Sequence, residues 1–599
     1  MAISENITSE GIVTFVVKAD GNAIPDESRV YSIKVEYAVN KISTAKIVIL
    51  DGDVSTGTFE ASSSDTFLPG IEISIEAGYD NNNKIIFKGI ITEQTIRIDD
   101  IIGSALIVTC RDEAIKTTVG RKSKTFTDQK DSDIWRSIIG DYSGLSEDIS
   151  STNLIWPQQV QYDTTDWDFI LARAEANGLI VKTINGKVSV EKPDNDTTSV
   201  LTIKYGDNLY EFHANLNAIS QLKNVKSSSW DYANQELIQK ETVNTHSGPG
   251  NLSSNTLSKV VGLKTFDLES PAPIKNDSLE NWNQAQLVKS NYSKIQGKLK
   301  CQGTSIVTIG NYITLKGLGD RFNGDHFVSK VVHNISDGNW MTTCAIGLSE
   351  ESFTKQNKTK ANPPSGLLSG VHGLFTATVK NIDEDPENQY RVLVDIPLFN
   401  ASGDGLWARH SSFYASNNAG AFFMPEIGDE VVVGFLNEDP NFPIILGSLY
   451  SNPNLKPSEG LNPNKNNSTK AIVSKSGIAI SFDDENQIFT ITTPDKNTIV
   501  FSDADKQITI QDQNSNTITM SKTGIALKSP KSISIDSEEK VSIIGAQGIS
   551  LKAQGGDVNV EGVNIQHNAN LEFSAEGSAS ASMESSGSLT LKGAMVMIN

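Results

Sequence analysis

Apolar and polar residues alternate with a step of two along the first part of the chain. Tyr31, Ile33, Val35 and Tyr37 keep this rhythm, and Ala45, Ile47 and Ile49 resume it. A period of two places successive side chains on opposite faces, so it predicts two strands across residues 30–50. Ile71, Ile73 and Ile75 predict a third strand and residues 85–91 a fourth, with the run Asp80-Asn81-Asn82-Asn83 as the hairpin turn between them. The rhythm becomes helical in three places. Residues 131–139 read as a short helix that opens on the capping residue types Asp131, Ser132 and Asp133. Residues 164–177 carry Trp167, Ile170, Leu171 and Ala174 at helical spacing, with Gly178 as the stop. Residues 279–298 predict the third helix. Many strands with few helices fit small barrels better than a parallel α/β domain.

The tail has another period. Ile525, Ile533, Val541 and Ile549 are spaced by eight, and so are Leu527, Ile535, Ile543 and Leu551. Each octad then holds one short strand with two apolar side chains on one face, and Ile472, Ile480 and Ile488 carry the spacing upstream. Two aliphatic side chains at about 2 kcal/mol each do not repay the ordering of eight residues. The rows must therefore meet rows of other chains. A one-chain solenoid ordinarily repeats at roughly 20–30 residues, whereas an octad suits three chains around a common axis. The prediction is a trimeric triple-stranded β-helix, or β-prism, with these eight residues as its trimer core. Ala579 and Ala581 stand where earlier octads hold Ile or Leu, so the prism tapers. Met595, Met597 and Ile598 form an apolar end that calls for a cover, a docking platform for another protein.

Composition sharpens the divisions. The last Trp is Trp407 and the last Arg is Arg409, while beyond residue 470 the aromatics are Phe482, Phe489, Phe501 and Phe573 alone. Runs rich in Pro, Asn and Lys near 355–365 and 451–467 read as linkers. The expected organisation is 1–355, a linker at 356–367, 368–450, a linker at 451–469, and 470–599. Lys and Arg number 51 against 72 Asp and Glu, a net charge of −21. With no long basic run, this argues against a nucleic-acid or anionic-membrane partner. No apolar run approaches the roughly 18 residues of a membrane helix, and Met1–Asn6 shows no secretory signal. Cys110, Cys301 and Cys344 have no metal-ligand spacing, which predicts folding in the reducing cytoplasm.

Candidate chemistry is sparse. No His-Glu-x-x-His, Gly-x-Ser-x-Gly or phosphate-loop pattern occurs. Asp383, Glu384, Asp385 and Glu387 read as a solvated turn beside Pro386 in preference to paired catalytic carboxylates or a calcium site. His567 follows Val563 and Ile565 at period two. If it pointed to the axis, three imidazoles would converge on a metal or anion; a turn position in water is the favoured reading. His326 and His333 read as structural histidines on a strand. The expectation is a chain without cofactor and without catalysis.

Residues 368–450 carry a string of motifs: Thr376-Ala-Thr-Val-Lys-Asn-Ile-Asp-Glu-Asp385, Tyr390-Arg-Val-Leu-Val-Asp-Ile-Pro397, Trp407-Ala-Arg409, Gly420-Ala-Phe-Phe-Met-Pro425, Glu426-Ile-Gly-Asp-Glu-Val-Val-Val-Gly-Phe435 and Asp439-Pro-Asn-Phe-Pro-Ile-Ile-Leu-Gly447. This string resembles the oligonucleotide-binding-type (OB) barrel of VgrG spike proteins, relatives of the contractile-phage baseplate hub and tail spike. Asp166–Gly178 and Gly324–His333 resemble segments of the same family's hub. The resemblance implies that 1–355 is a hub of two tube-protein-like barrels, 368–450 the OB-type barrel and 470–599 the needle. It also departs from the family: a glycine often stands just before the Arg-Val of the second barrel strand, where this chain has Asn388-Gln389-Tyr390. The implied function is mechanical. A homotrimer caps the ring-forming inner tube protein, sits among baseplate proteins and pierces a target envelope on sheath contraction. It carries a PAAR-type tip cap, with effectors as further cargo. It would assemble in the cytoplasm and leave with the particle. A trimeric tail fibre or adhesin that binds surface glycans is the alternative. A cell-wall hydrolase spike is a third reading, which the short interval between barrel and needle disfavours.

Overall fold

The computed structural model describes residues 11–356, 359, 361–399, 404–451 and 455–598. The N-terminal segment and parts of both expected linkers lie outside these residues. The chain divides into two compact units, Met1–Ser448 and Leu449–Asn599.

In the first unit, strand Arg29–Ala38 buries Ile33, Val35 and Tyr37 and turns Lys34 and Glu36 outward, whereas Tyr31, the first of the expected row, is exposed near the strand's start. It pairs antiparallel with Thr44–Leu50, Ile33 opposite Ile47. On its other side lies Gly324–Ser336, Ile335 opposite Ile33. A ladder between residues some three hundred positions apart thus sits at the centre of one thirteen-stranded sheet. The strands expected to form two barrels lie in this one sheet and share a core that runs from Ile33 and Ile73 to Leu315 and Cys344. The hairpin expected at 80–83 is tighter than anticipated. Asp80 and Asn81 alone form the turn, both with positive φ (50° and 66°), and Tyr79 pairs with Asn82. All three cysteines are buried free thiols.

A second core forms where helices Asp131–Gly140 and Asp166–Ala176 pack on a three-stranded sheet. The Thr165 hydroxyl caps the second helix by accepting from the Asp168 amide at 3.0 Å. Gly178 leaves that helix at a φ of 69°, a conformation glycine adopts without strain. The third helix is displaced from its expected 279–298. It runs from Asn276 to Tyr292, and residues 295–302 form a strand of the large sheet. Leu299 and Cys301 face the core there with period two, so pairing with neighbouring strands overrides local helical spacing.

Strands Phe375–Asn381, Val392–Asp395, Leu406–His410, Glu430–Phe435 and Pro443–Leu449 close into a small barrel. Its core holds Ala377, Val379, Val392, Val394, Ala408, Val431, Val433 and Ile445. The chain is mainly β with a few helices and an OB-type barrel, the class expected.

The second unit holds a seven-stranded antiparallel meander of five-residue strands from Thr469 to Lys528. Its repeat differs from the octad expected upstream. Ile472 lies opposite Ile480, which in turn lies opposite Ile491. Ile488 pairs with Asp483 and Ser502 on the other face. Turns alternate between 474–478 and 484–487, so one hairpin takes nineteen residues, the step from Ile472 to Ile491 to Ile510. Asp483 and Asp512 each fasten a turn by accepting hydrogen bonds, from Asn486 and Asn516 respectively, and these bonds hold both carboxyls below their usual range. The last turn shrinks to Lys522 and Thr523, and the octads begin there. Among the described residues, no strand ladder forms beyond Lys528.

Candidate assembly surfaces

The meander is amphipathic to an unusual degree. One ladder on its apolar face runs Ile472, Ile480, Ile491, Ile499, Ile510, Ile518, Leu527. Beside it runs a second, Phe482, Phe489, Phe501, Ile508, Met520, Ile525. Phe489 touches both neighbouring rings, at 5.2 Å from Phe482 and 5.7 Å from Phe501. On the opposite face Thr and Ser are the commonest residues, among them Thr490, Thr498, Thr509 and Thr517, with Val473, Ile488 and Val500 between them. Period two on five-residue strands produces this separation, but a single sheet has nothing to lay its apolar face against. Ile525 remains 74% exposed and Leu527 55%. Contrary to the expectation of rows with no partner inside one chain, these two do have in-chain neighbours, Met520 and Ile518.

The remaining octad residues, Ile533, Ile535, Val541, Ile543, Ile549 and Leu551, are all exposed in the single chain. So are Met595, Met597 and Ile598 at the far end. His567 lies against Phe573, ring centroids 5.9 Å apart. Among the described residues, no group of three His, Cys, Asp or Glu side chains could hold a metal ion. No helix among them is long and apolar enough to cross a membrane.

The acidic turn of the barrel resolves into one committed carboxylate and exposed neighbours. Asp385 accepts from the backbone of Glu387, Gln389 and Arg391, and from the Arg391 Nε and a terminal guanidinium nitrogen at 2.9 and 2.7 Å. The Arg391 side chain holds the Asp385 carboxyl well below the usual carboxylate range. Its oxygens are spent on organising the turn. Tyr390, where the family often has glycine, takes a φ of 59°. Bulky residues rarely adopt that conformation, so the motif's glycine has a backbone reason and this chain tolerates the strain.

Sequence reading missed the aromatic surface beside that turn. Tyr390, Tyr414, Phe422 and Phe423 line a cleft of about 550 Å³ with His410. Phe413 stacks on Phe423 at 6.5 Å, and the hairpin that carries these rings is exposed. Its signal was the density of aromatics in residues 413–423. His326 and His333 are both buried on strand Gly324–Ser336. His333 Nδ1 lies 3.1 Å from the Thr342 hydroxyl, and burial pushes its pKa down to about 4.

Comparison with known proteins places this geometry. The sequence model described as the type VI secretion system/phage-baseplate injector OB domain matches residues 375–450, the closed barrel. The type VI secretion system spike protein VgrG1c of Pseudomonas aeruginosa is 37% identical over 78 residues, 13% of this chain and 11% of that protein. Spike protein VgrG3 of Vibrio cholerae is 36% identical over 75 residues, 12% of this chain and 7% of that one. The chain thus spans about a tenth of the length of the curated relatives it matches. The 43 kDa tail protein of prophage MuSo2 from Shewanella oneidensis overlays 56% of this chain and 98% of its own, at 10% identity and a TM-score of 0.43. The similarity to VgrG spike proteins read from the barrel motifs stands. The model described as the Alg8 N-terminal domain matches residues 9–337, more than half of the 599, and the chain belongs to that family.

Proposed function

We propose that the chain is the central spike of a contractile injection particle and works as a homotrimer. The observation that carries this reading is the unpartnered apolar face of the meander, continued by exposed octad rows, in a chain that also holds an injector OB domain. Three copies placed around one axis turn that face inward and satisfy it without any other protein. The hub caps the ring of the inner tube protein among baseplate proteins, and the needle carries the force of sheath contraction into a target envelope. The apolar end at Met595, Met597 and Ile598 seats a PAAR-type cap, and effectors ride on the spike. The particle assembles in the cytoplasm and is then delivered outside the cell or into a target cell.

The reading assigns the chain no reaction. Incubation with peptidoglycan, with and without added divalent metal, should release no soluble fragments. Release that disappears on substitution of a carboxylate would overturn that part. Light scattering on the purified protein tests the architecture. The expected mass is about three times 64.8 kDa, and a stable monomer at micromolar concentration would refute it.

A further inference from the structure

Lys294 is fully buried, and among the described residues none of its ammonium hydrogen bonds goes to a carboxylate. Its Nζ instead meets three backbone carbonyls of one loop. It donates to Pro249 O at 2.7 Å, to Leu252 O at 3.0 Å and to Ser247 O at shorter range. An ammonium has three protons, so each is spent on one carbonyl. The loop is shaped for this approach. Gly248 has a φ of 64°, and a Cβ there would stand 2.9 Å from the Lys294 Nζ and 3.1 Å from His246 Nε2. The loop is held from outside as well, the Gly250 amide donating to Asn323 O at 3.0 Å and the Asn251 amide to Asp320 O at 2.9 Å.

Burial alone disfavours the ammonium and lowers its pKa to about 8, while the three carbonyl oxygens supply the negative ends of dipoles that favour the charge. Converging carbonyls that replace a hydration shell are also how proteins hold potassium, an ion of ammonium-like size. The loop joins strand Glu236–Val243 to helix Ser254–Val261, and Lys294 immediately precedes strand Ile295–Gln302 of the large sheet. One cation therefore ties this loop to the large sheet.

We propose that residues 247–252 form a monovalent-cation cage whose resident cation is the Lys294 ammonium, and that the emptied cage accepts a potassium or ammonium ion. The test is Lys294→Ala in the full chain, with hydrogen exchange followed at the Gly250 and Asn251 amides in potassium, ammonium, lithium and choline chlorides. In lithium or choline salt, exchange should run at least tenfold faster than in the unaltered protein. Potassium or ammonium should slow it again, while the unaltered protein stays indifferent to the salt. Lys294→Met fills the stem volume without charge and should exchange fast in every salt. Protection of Lys294→Met equal to that of the unaltered protein would overturn the proposal. Fast exchange in Lys294→Ala that no cation slows would overturn it too. Where Lys294→Ala does not fold in choline, its refolding yield becomes the readout: a higher yield in potassium or ammonium supports the cage, and equal yields in all salts refute it.

Discussion

Arg173 grips Asp131 with two nitrogens, Nε at 2.9 Å and a terminal nitrogen at 2.8 Å, and so joins the start of helix Asp131–Gly140 to the end of helix Asp166–Ala176. Trp156 Nε1 and the Asn177 amide each add a hydrogen bond to the same carboxylate at 3.0 Å. The Arg173 guanidinium also lies over the Trp156 ring, 4.7 Å from its centroid. Asp131 therefore does not cap its own helix, as its position suggested; it gathers three donors from two other elements.

Removal of that carboxylate leaves a half-buried guanidinium, an indole and an amide without their acceptor. Asp131→Ala should destabilise the first unit by about 3–5 kcal/mol, the usual cost of breaking a buried pair from one side. Arg173→Lys should also lose stability, because a point charge cannot reproduce the two-pronged contact. Urea unfolding followed by tryptophan fluorescence measures both. Values near zero would mean that water replaces the carboxylate.

Charges on the meander face test the assembly reading. Ile499→Asp adds a carboxylate to the ladder between Ile491 and Ile510. In a trimer, three such charges gather at one level, and each pair a few Å apart costs several kcal/mol even at an effective dielectric near 20. Ile533→Asp and Ile543→Asp should act likewise within the octads. The expected result is loss of the trimer mass in light scattering, with the hub's circular dichroism retained.

Acidification should weaken the first unit through His333. Its folded pKa of about 4 lies below the ordinary value of 6.5, so between these values the unfolded chain binds a proton that the folded chain refuses. Stability contributed by the neutral imidazole is thus complete above about pH 6.5 and declines as the pH falls toward 4. The total is about 3 kcal/mol. His333→Gln should flatten that part of the profile of unfolding midpoint against pH. An unchanged slope would place the proton uptake elsewhere.

Tyr390→Gly should stabilise the barrel despite the loss of an exposed ring. Relief of a left-handed backbone at a bulky residue is worth on the order of 1 kcal/mol. A lower melting midpoint would show that the ring's contacts in the aromatic cleft outweigh the backbone strain.

Deletion of residues 594–599 should leave the assembled mass and heat resistance intact while abolishing capture of a tip cap in a pull-down. If the deletion dissolves the trimer, the end is a folding clamp. If capture is unchanged, docking occurs elsewhere.

Local period was enough to place strands at 30–50 and 71–91, the Asp166–Ala176 helix with its Gly178 stop, and the change of architecture near residue 470. These depend on side-chain alternation and turn chemistry, which act over a few residues. The barrel was legible because its strand and turn motifs lie within one short stretch. Other features needed the folded chain. The partner of Ile33 is Ile335, and no local pattern names a partner three hundred residues away. The third helix yields at Tyr292 because residues 295–302 gain a place in the sheet. Ile488 keeps the octad spacing with Ile472 and Ile480 yet faces the other way, because turn lengths, not spacing between isoleucines, set the register. The Lys294 cage lay furthest beyond sequence reading. Its ligands are backbone carbonyls, which every residue possesses, and only the tertiary path of the 247–252 loop brings three of them to one ammonium.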